Sequence, residues 1–160
     1  VNNIKLNGGF VAVVDEEDYE WLNKYTWKVA NKFCEANRYV ITIVELDGKQ
    51  KTILMHRMIM KPSDGVYVDH INGNKLDNRR CNLRLCTIAE NNLNKRGSSY
   101  KKSSKYKGVY KCTQTTWLAC IVHNKKQHNI GFFKNEIEAA KAYNVAAIKY
   151  HGEFARLNEI

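Results

Sequence analysis

Between residues 66 and 91 the sequence leaves room for little besides a strand, a structured loop, a second strand and a helix. Residues 66–70 form a short β-rich run ending in Asp69-His70, and Asn72, Gly73, Asn74, Asp77 and Asn78 then supply turn formers in close succession. Leu83-Arg84-Leu85-Cys86 reads as the second strand. Thr87 with Glu90 three positions later is a capping box, so a helix is expected to start there and to carry Asn91 in its first turns. Successive strand residues point to opposite faces. Asp69 and His70 can therefore serve one site only at a strand end or a bulge, and the glycine-containing loop directly after them allows that.

A carboxylate beside a histidine provides a metal ligand and a proton acceptor, and a second oxygen ligand follows about one helix later. Phosphodiester hydrolysis needs those parts. An isolated Asp-His pair is usually a surface turn. Here the pair, the loop, Asn82-Leu83-Arg84 and a helix-borne asparagine occur together and in order. Residues 52–95 resemble the HNH endonucleases, in particular the phage and intron-encoded homing type whose third signature residue is asparagine. The resemblance implies a ββα-metal unit binding one divalent ion. In it His70 is the general base, Asp69 and Asn91 are the metal ligands, and Asn82 is the middle signature residue. Hard oxygen ligands suit Mg²⁺ or Mn²⁺, and an unperturbed histidine pKa of about 6.5 suits a base working near neutrality. Asn82 is expected to orient either His70 or the loop. His56 and Arg57 lie in an apolar run read as a strand over residues 52–58. A phosphate contact or a supporting role beside the active site is expected for them, with a structural histidine as the alternative.

A second module follows. Residues 98–106 are rich in serine and lysine without an acid, which is the composition of a basic linker. Beyond it stand Lys107-Gly108-Val109-Tyr110, then Trp117-Leu118-Ala119-Cys120-Ile121, then Asn129-Ile130-Gly131-Phe132-Phe133, and then an alanine-rich helical stretch. Asn135 and Glu138 can cap that helix, Ala139, Tyr143, Ala146 and Tyr150 share one face, and Gly152 is a natural stop. This region resembles the APETALA2, or ethylene-response-factor, DNA-binding domain, which implies a three-stranded antiparallel sheet packed on one helix, with the sheet in the major groove. The positions that read bases in plant members hold Tyr110, Cys112, Gln114, Cys120, Val122, Gln127 and Asn129 here. The scaffold therefore transfers better than the plant target site. Gln114, Gln127 and Asn129 are candidates for adenine edges and Lys107, Lys111, Lys125 and Lys126 for phosphates. Trp117 reads as core.

Charge agrees with that division of labour. The chain has 26 basic and 16 acidic residues, a net +10. Residues 98–160 hold 11 basic against 4 acidic, +7 of the total, an electrostatic footprint for nucleic acid. The first third is less informative. Strands are expected near residues 9–14, 39–44 and 51–54, with a helix over 16–23 and a hairpin at Asp47-Gly48. Lys28, Lys32 and Arg38 are candidates for backbone contacts. Five cysteines, odd in number and without a Cys-x-x-Cys pair, argue for a reducing cytoplasm and against structural zinc. Neither a membrane span nor a signal peptide is expected.

The resulting expectation is an α+β chain. Residues 1–97 form the nuclease domain, with an N-terminal β region at 1–51 and a ββα-metal core at 52–97. Residues 98–106 link it to an APETALA2-like domain at 107–160. The expected activity is metal-dependent cleavage of double-stranded DNA, with target recognition largely in the C-terminal module. A monomer with one active site nicks, whereas a double-strand break needs a dimer or two successive events. The alternative is a non-catalytic DNA-binding regulator on a retained nuclease scaffold. An RNA-binding protein is disfavoured by the intact Asp69, His70, Asn82 and Asn91 set.

Overall fold

Short strands bounded by turn residues dominate the computed structural model, which describes residues 1–34, 38–95 and 103–160. The fold is α+β, and the chain divides into two compact units, Val1–Asn91 and Asn92–Ile160. No helix among the described residues is long and apolar enough to cross a membrane.

In the first unit β1 (Asn2–Lys5) pairs antiparallel with β2 (Val11–Val14). α1 (Glu16–Leu22) follows, with Glu16, Glu17 and Asp18 in its first turn, where acidic side chains complement the helix dipole. β3 (Lys28–Val29), β4 (Val40–Leu46) and β5 (Lys49–Leu54) form a second antiparallel sheet in that order. Asp47 and Gly48 join β4 to β5 with φ of 52° and 71°, the doubly left-handed turn that suits the twist of a hairpin. The core gathers Ile4, Val14, Leu22, Trp27, Met55 and Val68, and the Trp27 indole donates to the Leu22 carbonyl at 2.8 Å.

The apolar run after β5 is not a strand. α2 (Met55–Met60) occupies it, burying Met55, His56 and Ile59. A short apolar run carries no decisive periodicity, and here Met55 and Ile59 stand four apart on one helical face. His56 consequently belongs to the buried side, beside Met55. β6 (Tyr67–His70) and β7 (Leu83–Cys86) then form an antiparallel ribbon, and α3 (Ile88–Leu93) follows β7.

In the second unit β8 (Val109–Lys111), β9 (Trp117–His123) and β10 (Lys126–Phe133) form an antiparallel sheet with β9 central, packed on α4 (Glu136–His151). Asn124 and Lys125 make the β9–β10 turn at φ 51° and 61°. The Asn135 side chain caps α4, its Oδ1 accepting from Glu138 N at 2.8 Å. Ala139, Ala140 and Ala147 are fully buried beneath the sheet, so helix and strands approach closely. Gly108, at φ 72°, stands where a Cβ would run into the Tyr143 ring.

The expected linker differs from the structure at its C-terminal end. Residues 98–102 lie outside the described residues. Ser103, Ser104 and Tyr106 are built into the second unit. Ser104 Oγ donates to Glu136 Oε1 at 2.7 Å, Ser103 Oγ accepts from Lys111 N at 2.9 Å, and Tyr106 packs with Val109 and Ala119. Composition read these residues as a basic linker, but their hydroxyls and ring find partners on α4 and the sheet.

Candidate active site

The β6–β7 ribbon pairs Asp69 with Arg84 and His70 with Leu83 without a register shift, and β6 ends at His70. The pair thus sits at a strand end rather than a bulge. The loop that follows is held by its own side chains. Asn72 Oδ1 accepts from Asn74 N at 2.7 Å and Asn74 Oδ1 from Leu76 N at 3.1 Å. Asn82 closes the loop from the far side, since its Oδ1 accepts from Asn72 N at 2.9 Å and its Nδ2 donates to Asp77 O at 2.8 Å. Of the two roles expected for Asn82, these contacts are with the loop.

A second layer supports the loop from the N-terminal region. Val13 N donates to Leu76 O and Asn78 N to Val13 O, each at 2.8 Å. Arg80 forks onto the buried Asp18 carboxylate with two bonds of 2.8 Å, while its backbone N–H reaches Asp15 Oδ2 at 2.7 Å. Asp77 receives Arg79 at 2.7 Å through each oxygen, which draws its carboxyl below the usual range.

His70 is fully buried. Its Nε2 lies 3.4 Å from Asn78 Oδ1, and the His56 ring meets it edge-on with centroids 4.9 Å apart. Burial lowers the His70 pKa to about 4, with Lys75 adding to the effect, against opposition from the Asn78 contact and the Asp69 and Asp77 carboxylates. His56 is lowered to about 3, first by burial and then by the neighbouring His70. The expectation of an unperturbed His70 is thereby corrected, for the imidazole has lost its hydration. His56 Nδ1 is buried without a hydrogen-bond partner. Tyr39 stands 5.4 Å from the His56 ring and 6.3 Å from that of His70, and Lys75 Nζ lies 5.2 Å above the Tyr39 ring. Burial and the Asp69 charge both raise the Tyr39 hydroxyl.

Asp69 is 2% exposed and takes Arg84 on one oxygen, from Nη2 at 2.8 Å and Nε at 3.1 Å. Arg57 Nη1 donates to Val66 O at 3.0 Å, tying α2 to the start of β6. Asn91 is partly exposed on α3, its N–H bonded to Thr87 O at 3.0 Å. The expected capping box is formed: Glu90 Oε2 accepts from Thr87 N and Oγ1 at 2.7 and 2.8 Å, and Thr87 Oγ1 accepts from Glu90 N at 3.2 Å. Among the described residues no group of three or more His, Cys, Asp or Glu could hold a metal ion. The Asp69 carboxylate and the Asn91 amide carry hard oxygen atoms, the donor type that divalent ions such as Mg²⁺ take.

A ribbon ending in Asp-His, a stapled asparagine loop and a capped helix bearing asparagine also occur within a stretch matched by other proteins. A family model described as HNH endonuclease matches residues 61–93. An uncharacterized HNH endonuclease of Acanthamoeba polyphaga mimivirus is 36% identical over 152 residues, covering 95% of this chain and 76% of that protein. The chain belongs to the HNH endonucleases. Membership makes it a nuclease acting on DNA. Protein 3.8 of Escherichia phage T7 is 31% identical over 93 residues, 58% of this chain and 75% of that protein. An AP2/ERF and B3 domain-containing protein of Oryza sativa subsp. japonica is 40% identical over 58 residues, 36% of this chain and 16% of that protein. No solved structure matches at a significant level.

Sequence reasoning missed two residues of this HNH endonuclease site. Asn78 was visible only as a turn former, because its approach to His70 depends on how the loop closes. Arg84 belongs to the Asn82-Leu83-Arg84 string, and strand register predicts its position opposite Asp69 once β6 and β7 are aligned.

In the second unit Tyr110, Lys111, Gln114, Lys125, Lys126, Gln127 and Asn129 are all exposed. Lys107 Nζ donates to Leu93 O at 2.6 Å and Lys95 O at 2.9 Å, carbonyls at and just beyond the end of α3. Lys111 Nζ lies 5.7 Å over the Trp117 ring, and Trp117 packs against the core as expected. Cys112 is exposed and Cys120 buried. In the first unit Arg38 lies over the Phe10 ring at 4.9 Å, whereas Lys28 and Lys32 are exposed. Cys81 is exposed.

Proposed function

We propose that this HNH endonuclease hydrolyses double-stranded DNA by a metal-dependent mechanism of the homing type. Residues 1–97 supply the chemistry and the APETALA2-like residues 107–160 supply most of the target recognition. The observation that carries the reading is a buried, neutral His70 beside Asp69 at the end of β6, with Asn78 against one ring nitrogen. The tautomer that donates from Nε2 to Asn78 Oδ1 leaves the lone pair on Nδ1. That nitrogen takes a proton from water as the water oxygen attacks phosphorus in line, and the P–O3′ bond breaks. The leaving 3′ oxygen then gains a proton from solvent, giving a 5′ phosphate and a 3′ hydroxyl.

Asp69 and Asn91 would hold one Mg²⁺ or Mn²⁺, which when bound supplies positive charge against the phosphate and the leaving oxygen. Arg84 orients Asp69, and Asn82 keeps the loop closed. His56 supports the His70 ring, and Arg57 ties α2 to the ribbon. One site per chain makes the monomer a nickase. The mimivirus and T7 relatives support a phage- or virus-encoded enzyme working in the host cytoplasm.

Supercoiled plasmid incubated with the parent chain and with His70→Ala, each with and without Mg²⁺ or Mn²⁺, tests the reading. Nicking by the parent only in the presence of metal, with a loss of at least about 100-fold in His70→Ala, is expected. Equal cleavage by both proteins, or cleavage indifferent to chelator, would overturn it.

A further inference from the structure

His56 and His70 are both buried, so a phosphate that comes to His70 first meets the side chains that stand between these rings and solvent. Two half-buried side chains are grouped there. Tyr39, immediately before β4, has its ring 5.4 Å from that of His56 and 6.3 Å from that of His70, and Lys75 Nζ lies 5.2 Å over the Tyr39 ring. The positive charge of Lys75 is felt at both imidazoles. Backbone contacts anchor the two residues. The Tyr39 carbonyl accepts from Ala30 N at 2.8 Å, next to the pairing of Val29 with Val40. The Lys75 carbonyl accepts from Asn78 Nδ2 at 3.3 Å, while Asn78 Oδ1 meets His70 Nε2 at 3.4 Å. One asparagine thus fixes the imidazole and the backbone of Lys75 together.

An ammonium near a general base is a liability without substrate, because it opposes the proton that the imidazole has to accept. A phosphodiester reverses the balance. Its non-bridging oxygens are acceptors for ammonium donors, and attack by water adds negative charge to them in the transition state. The Tyr39 face attracts a cation through its quadrupole and brings no charge of its own to compete with a phosphate.

We propose that the Lys75 ammonium holds a non-bridging oxygen of the scissile phosphate beside His70, and that the Tyr39 ring is the platform that keeps Lys75 there. The inference rests on His70 being the general base of the nuclease.

Single-turnover nicking of supercoiled plasmid at saturating enzyme should slow by about 100-fold in Lys75→Gln, with part of the loss recovered in Lys75→Arg. The parent chain is also used to map a nick. A duplex carrying that position either as phosphate or as uncharged methylphosphonate is then bound in the presence of chelator, a comparison that removes one charge and leaves the protein untouched. The parent should prefer the phosphate by about tenfold or more, and Lys75→Gln should lose the preference. Tyr39→Leu should weaken the preference by about threefold, and by nothing further once Lys75 is replaced. A parent indifferent to methylphosphonate would overturn the inference. So would a slower, less urea-resistant Lys75→Gln chain that keeps the preference, since the lysine would then only brace the loop. Equal Tyr39→Leu losses with and without Lys75 would overturn the platform. Each of these leaves the His70 reading standing, whereas a parent that fails to nick with metal would overturn both.

Discussion

His56 and His70 show how burial changes residue chemistry. Each folded pKa, about 3 and about 4, lies below the unfolded value of about 6.5. Above pH 6.5 neither state binds these protons. As pH falls from 6.5 towards 4 the unfolded chain takes up protons that the folded chain refuses, so stability falls, by up to about 1.4 kcal/mol per pH unit for each histidine. Urea unfolding followed at pH 7, 6, 5 and 4.5 should show the midpoint dropping across that window, and less steeply in His56→Gln. A midpoint constant between pH 6.5 and 4.5 would contradict the burial of the pair. Asp69 and Arg84 make a different demand. Removing the guanidinium by Arg84→Met takes the ion-pair partner from a carboxylate in a site almost closed to water, at a cost of about 3 kcal/mol. Lower urea resistance and weaker cleavage should appear together, and a fully stable variant would count against the ion pair. The place of Asp69 and His70 at a strand end was legible because the loop formers that follow them act locally. The depressed His70 pKa was not legible, since it comes from α2, Tyr39 and Lys75, which reach the imidazole only through the fold.

At the scale of elements, capping signals were the most readable. Thr87 with Glu90 and Asn135 with Glu138 each start a helix where the spacing placed it, because a cap is satisfied within four residues. The hairpin at Asp47-Gly48 was readable for the same reason. α2 was not, since six apolar-rich residues fit either period and packing decided between them. Thr87→Ala removes one half of a reciprocal cap and should loosen α3 by about 1 kcal/mol. Cleavage should therefore weaken although Asn91 is untouched, with hydrogen exchange over residues 88–93 as the check. Gly108→Ala adds a methyl at a left-handed position where Tyr143 and the Cys120 carbonyl already stand. A destabilisation of roughly 3 kcal/mol or more is expected, read as faster exchange across β8 and β9.

For the whole molecule, +10 of net charge with +7 beyond residue 97 predicts binding that weakens steeply with salt. The two kinds of lysine should separate cleanly. Lys125→Ala and Lys126→Ala are expected each to flatten the plot of log affinity against log salt by about 0.9, whereas Lys107→Ala should leave the slope alone and lower stability, because its ammonium is spent on Leu93 and Lys95 carbonyls. Equal slope changes for all three would place Lys107 on the phosphates after all. The bonds from Val13 to Leu76 and Asn78, and from Asp15 and Asp18 to Arg80, also bear on how this nuclease can be transplanted. The ribbon, loop and helix form a contiguous string that invites excision at residue 52. Their foundation lies some sixty residues upstream, so a chimaeric nuclease must inherit the N-terminal strands and α1 along with the ribbon, loop and helix.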